Sequence, residues 1–161
     1  MLTAVPSPDI PLPWPALTVF AGALLALAWY DIRERRLPNI LTYPFLVLGL
    51  AWVAYAAPTR LIAHALSAVV GLLGLYLLGH LFERRRGYPG LGFGDVKLVS
   101  AIGAWLGPSV LAPTLLIASL AALLWAPLQA YRNGQKGSKI RIPLGTFLAL
   151  AAIGIVFFAQ D

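Results

Sequence analysis

Residues Val96–Leu106, VKLVSAIGAWL, decide how often this chain crosses a membrane. The run is apolar, but it is only about half as long as the ~20 residues a helix needs to span the hydrocarbon core. Longer apolar runs lie on both sides. Trp14–Tyr30, Pro38–Ala56 and Leu61–Phe82 precede it, and Ser109–Tyr131 and Pro143–Ala159 follow. Counting the short run gives six crossings and omitting it gives five. The basic residues choose between them. Arg33, Arg35 and Arg36 follow the first run. Arg84, Arg85, Arg86 and Lys97 lie around the gap between the third and fourth. Arg132, Lys136, Lys139 and Arg141 fill the gap before the last, and Arg60 stands alone. Six crossings gather all three clusters on one side, whereas five separate the last from the others. Loops rich in Lys and Arg stay in the cytoplasm. The expectation is therefore an all-α polytopic membrane protein of six transmembrane helices, the fourth one short, with both termini outside the cytoplasm. Local thinning of the bilayer accommodates the short helix.

Composition points the same way. Of 161 residues, 60% are hydrophobic and 11% charged, against roughly half and a quarter in soluble domains. A soluble chain this small needs far more charge to cover its surface. This excludes a soluble globular protein, a disordered chain and a nucleic-acid binder. The net charge of +6 then records orientation in the membrane. With no cysteine, disulfides, thiolate metal sites and a cysteine nucleophile are excluded. His64 and His80 are too few for a histidine metal site, and no metal or cofactor is expected. Residues 1–13 hold four prolines and no basic residue, unlike a cleaved signal peptide. They are expected to form an exposed tail, with residues 14–161 as a single membrane domain. The tryptophans fall mainly towards the ends of the runs, as an interfacial belt does. Small residues such as Ala68 and Gly71 allow close helix packing.

Two acids stand apart. Asp9 and Asp161 lie in the tails, and Glu34 and Glu83 sit among arginines. Asp31 ends the first apolar run and Asp95 begins the fourth. Six crossings put both at the same depth on the cytoplasmic side. Carboxylates at a membrane boundary face a polar cavity or a partner. A close pair shares a proton, so that one takes a proton from water while the other polarises a carbonyl. Capping of a helix N-terminus, with solvation, is the plainer reading of Asp95 on spacing alone. The residues alone leave both readings open. Gly87–Asp95 holds four glycines in nine residues, which suits close approach of an extended peptide or a simple turn.

Three stretches carry a resemblance. Gly92-Phe93-Gly94-Asp95-Val96-Lys97-Leu98 resembles the G-x-G-D-x-K-L motif of the type IV prepilin peptidases, which are membrane aspartyl proteases. Asp31 through Leu37-Pro38-Asn39 is similar to the first-aspartate motif of that family. Ile142-Pro143-Leu144-Gly145-Thr146-Phe147-Leu148-Ala149 is similar to its I-P-F-G-P-x-L-A segment, with Leu144 and Thr146 as departures.

The resemblance implies a peptidase that cuts the short basic leader from a pilin or pseudopilin precursor at the cytoplasmic face of the bacterial inner membrane. Asp31 and Asp95 are its implied catalytic pair. Gly92, Gly94, Lys97, Pro38 and Asn39 are candidate substrate-binding or supporting residues. Anchoring at the interface is an equal reading for Lys97, and capping or packing is the plainer one for Asn39. The implied partners are the precursor, membrane lipid and the pilus secretion machinery. Without the cysteine-bearing N-terminal domain of the long members, the chain resembles the short Flp/Tad members, and no methyltransferase activity is expected. Two other classes remain: an inactive assembly scaffold of the same fold, and a small proton-coupled carrier.

Overall fold

The computed structural model describes residues 8–34, 36–87, 91–133 and 143–159. Arg35, Tyr88–Gly90, and Lys136, Lys139, Arg141 and Ile142 lie outside them. Six α-helices follow one another: α1 (Trp14–Glu34), α2 (Asn39–Ala56), α3 (Leu61–Arg86), α4 (Phe93–Leu106), α5 (Pro108–Asn133) and α6 (Leu144–Phe158). A 3₁₀ turn, Pro58–Arg60, leads into α3. No strand occurs among the described residues. The six apolar runs each correspond to a helix, and several helices continue past the apolar run into charged sequence. In α3 the extension carries Arg84, Arg85 and Arg86, whose positive charge suits a helix C-terminus. Gly87 then stops the helix at φ 76°, its N–H donating to Glu83 O at 2.8 Å.

Among the described residues, four stretches are long and apolar enough to cross a membrane: Trp14–Glu34, Asn39–Ala56, Pro58–Arg86 and Pro108–Gln129. The fifteen residues of α6 and the fourteen of α4 are shorter. Burial explains α4. Val96 and every residue from Leu98 to Leu106 are buried, because α4 packs against α2, α3, α5 and α6. A helix surrounded by protein does not need the length of one that faces lipid. Gly103 lets α3 approach closely: a β-carbon there would stand 3.0 Å from the Ser67 backbone. By contrast, the outer faces of the long helices expose Leu25, Val47, Val70, Leu77, Leu120 and Leu124. That arrangement suits a lipid solvent and is costly in water.

The core differs from expectation at Trp105. This side chain does not sit in an interfacial belt but is buried among Phe20 and Phe45, with ring centroids 5.5 Å from each. Its indole N–H donates to Phe45 O at 2.7 Å, which satisfies the polar edge of an otherwise apolar residue.

The N-terminal stretch also departs from expectation. Residues 1–7 lie outside the described part, but Ile10 and Leu12 are buried rather than exposed. Asp9 explains why the stretch turns inward. Its Oδ1 accepts from Ser109 Oγ at 2.5 Å and lies 4.0 Å from Arg60. Its Oδ2 lies 4.0 Å from Nε2 of the fully buried His64. The other ring nitrogen of His64 is 3.0 Å from Ala104 O. The segment is thereby tied across the end of the bundle where α3 begins and α4 stops.

Candidate active site

Three helix ends meet at the opposite end of α4. Asp31 lies in the last turn of α1 and Asp95 in the first turn of α4, while Gly145 and Thr146 open α6. The first four N–H groups of a helix have no partner within it, and the end carries partial positive charge. Here those amides meet carboxylates from other helices. Thr146 N–H donates to Asp31 Oδ2 at 2.8 Å, and Thr146 Oγ1 lies 3.1 Å from the same oxygen. The Gly145 amide faces the Asp95 carboxylate, as does the Gly92 amide at the start of α4 itself.

Capping and pairing are therefore not exclusive for Asp95. It reaches back to its own helix's first amide, in the manner of half a capping box, and it also receives an amide from α6. Asp31 is only 5% exposed and takes its donors from a helix 115 residues away. Gly145 lies between the two acids. A β-carbon on it would stand 3.0 Å from Asp31 Oδ2 and 3.1 Å from Asp95 Oδ1. The two oxygens are thus no farther apart than those distances combined, close enough to flank one water or one peptide carbonyl. Leu37 forms the floor: its Cδ1 lies 3.1 Å from the same point, and its Cβ lies 3.0 Å from where a β-carbon of Gly94 would be.

The supporting candidates divide by position. Gly92 and Gly94 flank Asp95. Lys97 and Asn39 instead meet each other, Lys97 Nζ donating to Asn39 Oδ1 at 2.7 Å. The ammonium also lies 4.5 Å from the Phe93 ring and 5.1 Å from the Tyr43 ring, within cation–π range. Asn39 makes no cap to α2, whose N-cap is Pro38. Pro38 O accepts from Thr42 Oγ1 at 3.1 Å, so that proline shapes the start of α2. Phe93 also lines a groove of about 400 Å³ between α3 and the start of α4. Its walls include Tyr76, His80, Glu83, Leu91, Gly92 and Phe93. At Gly92 it adjoins the acids, since a β-carbon there would lie 3.0 Å from Asp95 Oδ2.

Comparison with known proteins identifies the family. The type IV leader peptidase family model matches residues 18–127, a stretch that includes Asp31 and Asp95. The chain belongs to the type IV leader peptidase family. Curated relatives named prepilin leader peptidase/N-methyltransferase are similar along most of it. The one from Burkholderia pseudomallei strain 1026b is 36% identical over 145 residues, covering 89% of this chain and 47% of the relative. That from Pseudomonas putida is 37% identical over 153 residues, covering 94% and 50%. That from Pseudomonas aeruginosa PAO1 is 35% identical over 137 residues, covering 84% and 47%. The chain therefore spans about half the length of these relatives. No solved structure matches it.

Gly145 and Thr146 were not among the sequence candidates, although the stretch containing them resembles a family segment. They carry no charge, and their relation to the acids exists only once α6 is packed. The available signal was Pro143 just ahead of an apolar run, which marks a helix start and hence a set of free amides.

Proposed function

We propose that this chain is a membrane aspartyl endopeptidase that removes the basic leader of type IV prepilins or pseudopilins, of the Flp type, at the cytoplasmic face of the bacterial inner membrane. One observation carries the reading: carboxylates from two helices converge on Gly145 at the bundle end beside an open groove. Two carboxylates so close hold one proton between them more readily than both ionise. The ionised member takes a proton from water, and the hydroxyl adds to the scissile carbonyl carbon. The protonated member donates a hydrogen bond to the carbonyl oxygen. The C–N bond then breaks and the departing amine receives a proton. A precursor whose first mature residues form a membrane helix presents this bond at the interface. Its extended part lies in the groove, where Gly92 admits a backbone near Asp95.

The proposal covers only the peptidase half of the relatives' name. A six-crossing topology, with the basic residues Arg33, Arg36 and Arg84–Arg86 against anionic lipid, supports a cytoplasmic position for this end of the bundle. Pilus secretion machinery is the partner that would receive the product. The position of the acids at helix ends, rather than at mid-helix, favours a peptidase over a proton-coupled carrier.

The test is cleavage of a Flp-type precursor by the full chain in detergent, beside folded Asp31→Asn and Asp95→Asn variants. Cleavage by the wild type and loss in both variants is expected. Equal behaviour of all three, active or inactive, overturns the reading.

A further inference from the structure

Among the described residues, Asp31 Oδ2 takes two hydrogen bonds from one residue. Thr146 offers its N–H at 2.8 Å and its hydroxyl at 3.1 Å. Ala28 O is a rival acceptor for the hydroxyl at 3.3 Å, but the Asp31 oxygen is nearer. The preceding amide, that of Gly145, faces Asp95. Successive amides in the first turn of a helix sit at a spacing set by the helix itself. Two acids from separate helices are therefore registered against one rigid element.

We propose that Thr146 is a positioning residue for the reaction: its N–H and hydroxyl fix the Asp31 carboxylate, so that the first turn of α6 sets the separation and facing of the two acids. Its role is exerted through Asp31 rather than on substrate. The proposal rests on the reading of Asp31 and Asp95 as the reacting pair. A carboxylate held by two donors from one residue cannot rotate away from its partner without breaking both. Losing the hydroxyl leaves the amide bond in place but frees the carboxylate to turn about it. Reacting groups misplaced by about 1 Å lose on the order of 100-fold in rate. With the amide retained, the expected loss is about tenfold.

The experiment compares steady-state precursor cleavage by the wild type with Thr146→Val, Thr146→Ala and Thr146→Ser, all as full chains in detergent, with unfolding midpoints measured alongside. Val keeps the shape and loses the hydroxyl, Ala loses both, and Ser keeps the hydroxyl. In Val and Ala, kcat falls about tenfold while KM stays within about twofold. Ser restores kcat to within about twofold of the wild type. Two different replacements guard against one of them misfolding. Unchanged kcat in Val and Ala overturns the proposal. So does a loss confined to KM, or a Ser variant as weak as Val. Failure of the wild type to cleave, or activity in Asp31→Asn, sinks the peptidase reading itself and is thereby told apart.

Discussion

Asp31 and Asp95 meet across the bare α-carbon of Gly145. A single methyl group added there would press on both acids at once, 3.0 Å from Asp31 Oδ2 and 3.1 Å from Asp95 Oδ1. Contacts so short oblige the carboxylates to shift. Gly145 lies in the first turn of α6, where alanine is the better helix former by up to about 1 kcal/mol. Gly145→Ala is therefore expected to lower kcat for precursor cleavage by about 100-fold or more, while the unfolding midpoint in detergent stays level or rises. Cleavage rate and thermal unfolding of the same sample check this. Full activity in the alanine variant would mean that the acids do not work in the geometry described.

Lys97 and Asn39 make a different kind of prediction, because they touch each other rather than the acids. Their bond at 2.7 Å joins the start of α4 to the start of α2, and the rings of Phe93 and Tyr43 flank the ammonium. Lys97→Met and Asn39→Ala should each destabilise the protein, and the double variant should cost less than their sum. A double-mutant cycle on unfolding free energy is expected to give a coupling of about 1 kcal/mol. Strict additivity would show that the pair contributes no joint stability.

How much of this was legible in the chain follows from what sequence encodes locally. The six helices were legible because apolar length is a local property. Asp31 and Asp95 stood out because acids are rare in such runs. Thr146 was not legible as part of the site, since an uncharged residue acquires its partner only through packing. Trp105 reads as interfacial near the end of its run, yet α4 is wrapped by four other helices, and that wrapping decides its burial. The proline-rich start reads as a loose tail. Ile10 and Leu12 find apolar cover beside Asp9, which is fastened to side chains 51 or more residues away: Arg60, His64 and Ser109.

That fastening gives a stability prediction separate from catalysis. The Asp9 side chain is about one-tenth exposed and accepts from Ser109 Oγ at 2.5 Å. Removing the carboxylate leaves Ser109 and the buried His64 without it. Asp9→Ala is expected to destabilise the protein by about 1–3 kcal/mol, read as a lower unfolding midpoint in detergent. Cleavage well below the unfolding temperature should stay unchanged, because the acids lie at the other end of α4. A loss of kcat with no loss of stability would contradict this division of roles.

The short α4 carries the last prediction, which concerns topology. Its first turn holds Asp95 beside the end of α1, whereas its last residues, Ala104 and Leu106, meet His64 and Asp9 at the start of α3. Fourteen residues rise ~21 Å, so α4 runs from one end of the bundle towards the other, although it falls short of a full ~30 Å core. The sequence has no cysteine, so single substitutions by cysteine report sidedness without background. Arg36, Thr59, Arg86 and Pro108 are all exposed and suit labelling by an impermeant maleimide in intact cells and in inverted vesicles. With α4 crossing, Thr59→Cys and Pro108→Cys label from outside, and Arg36→Cys and Arg86→Cys from the cytoplasm. If α4 does not cross, Pro108→Cys labels together with Arg86→Cys. That outcome would leave five crossings and move the loop before α6 to the outer side.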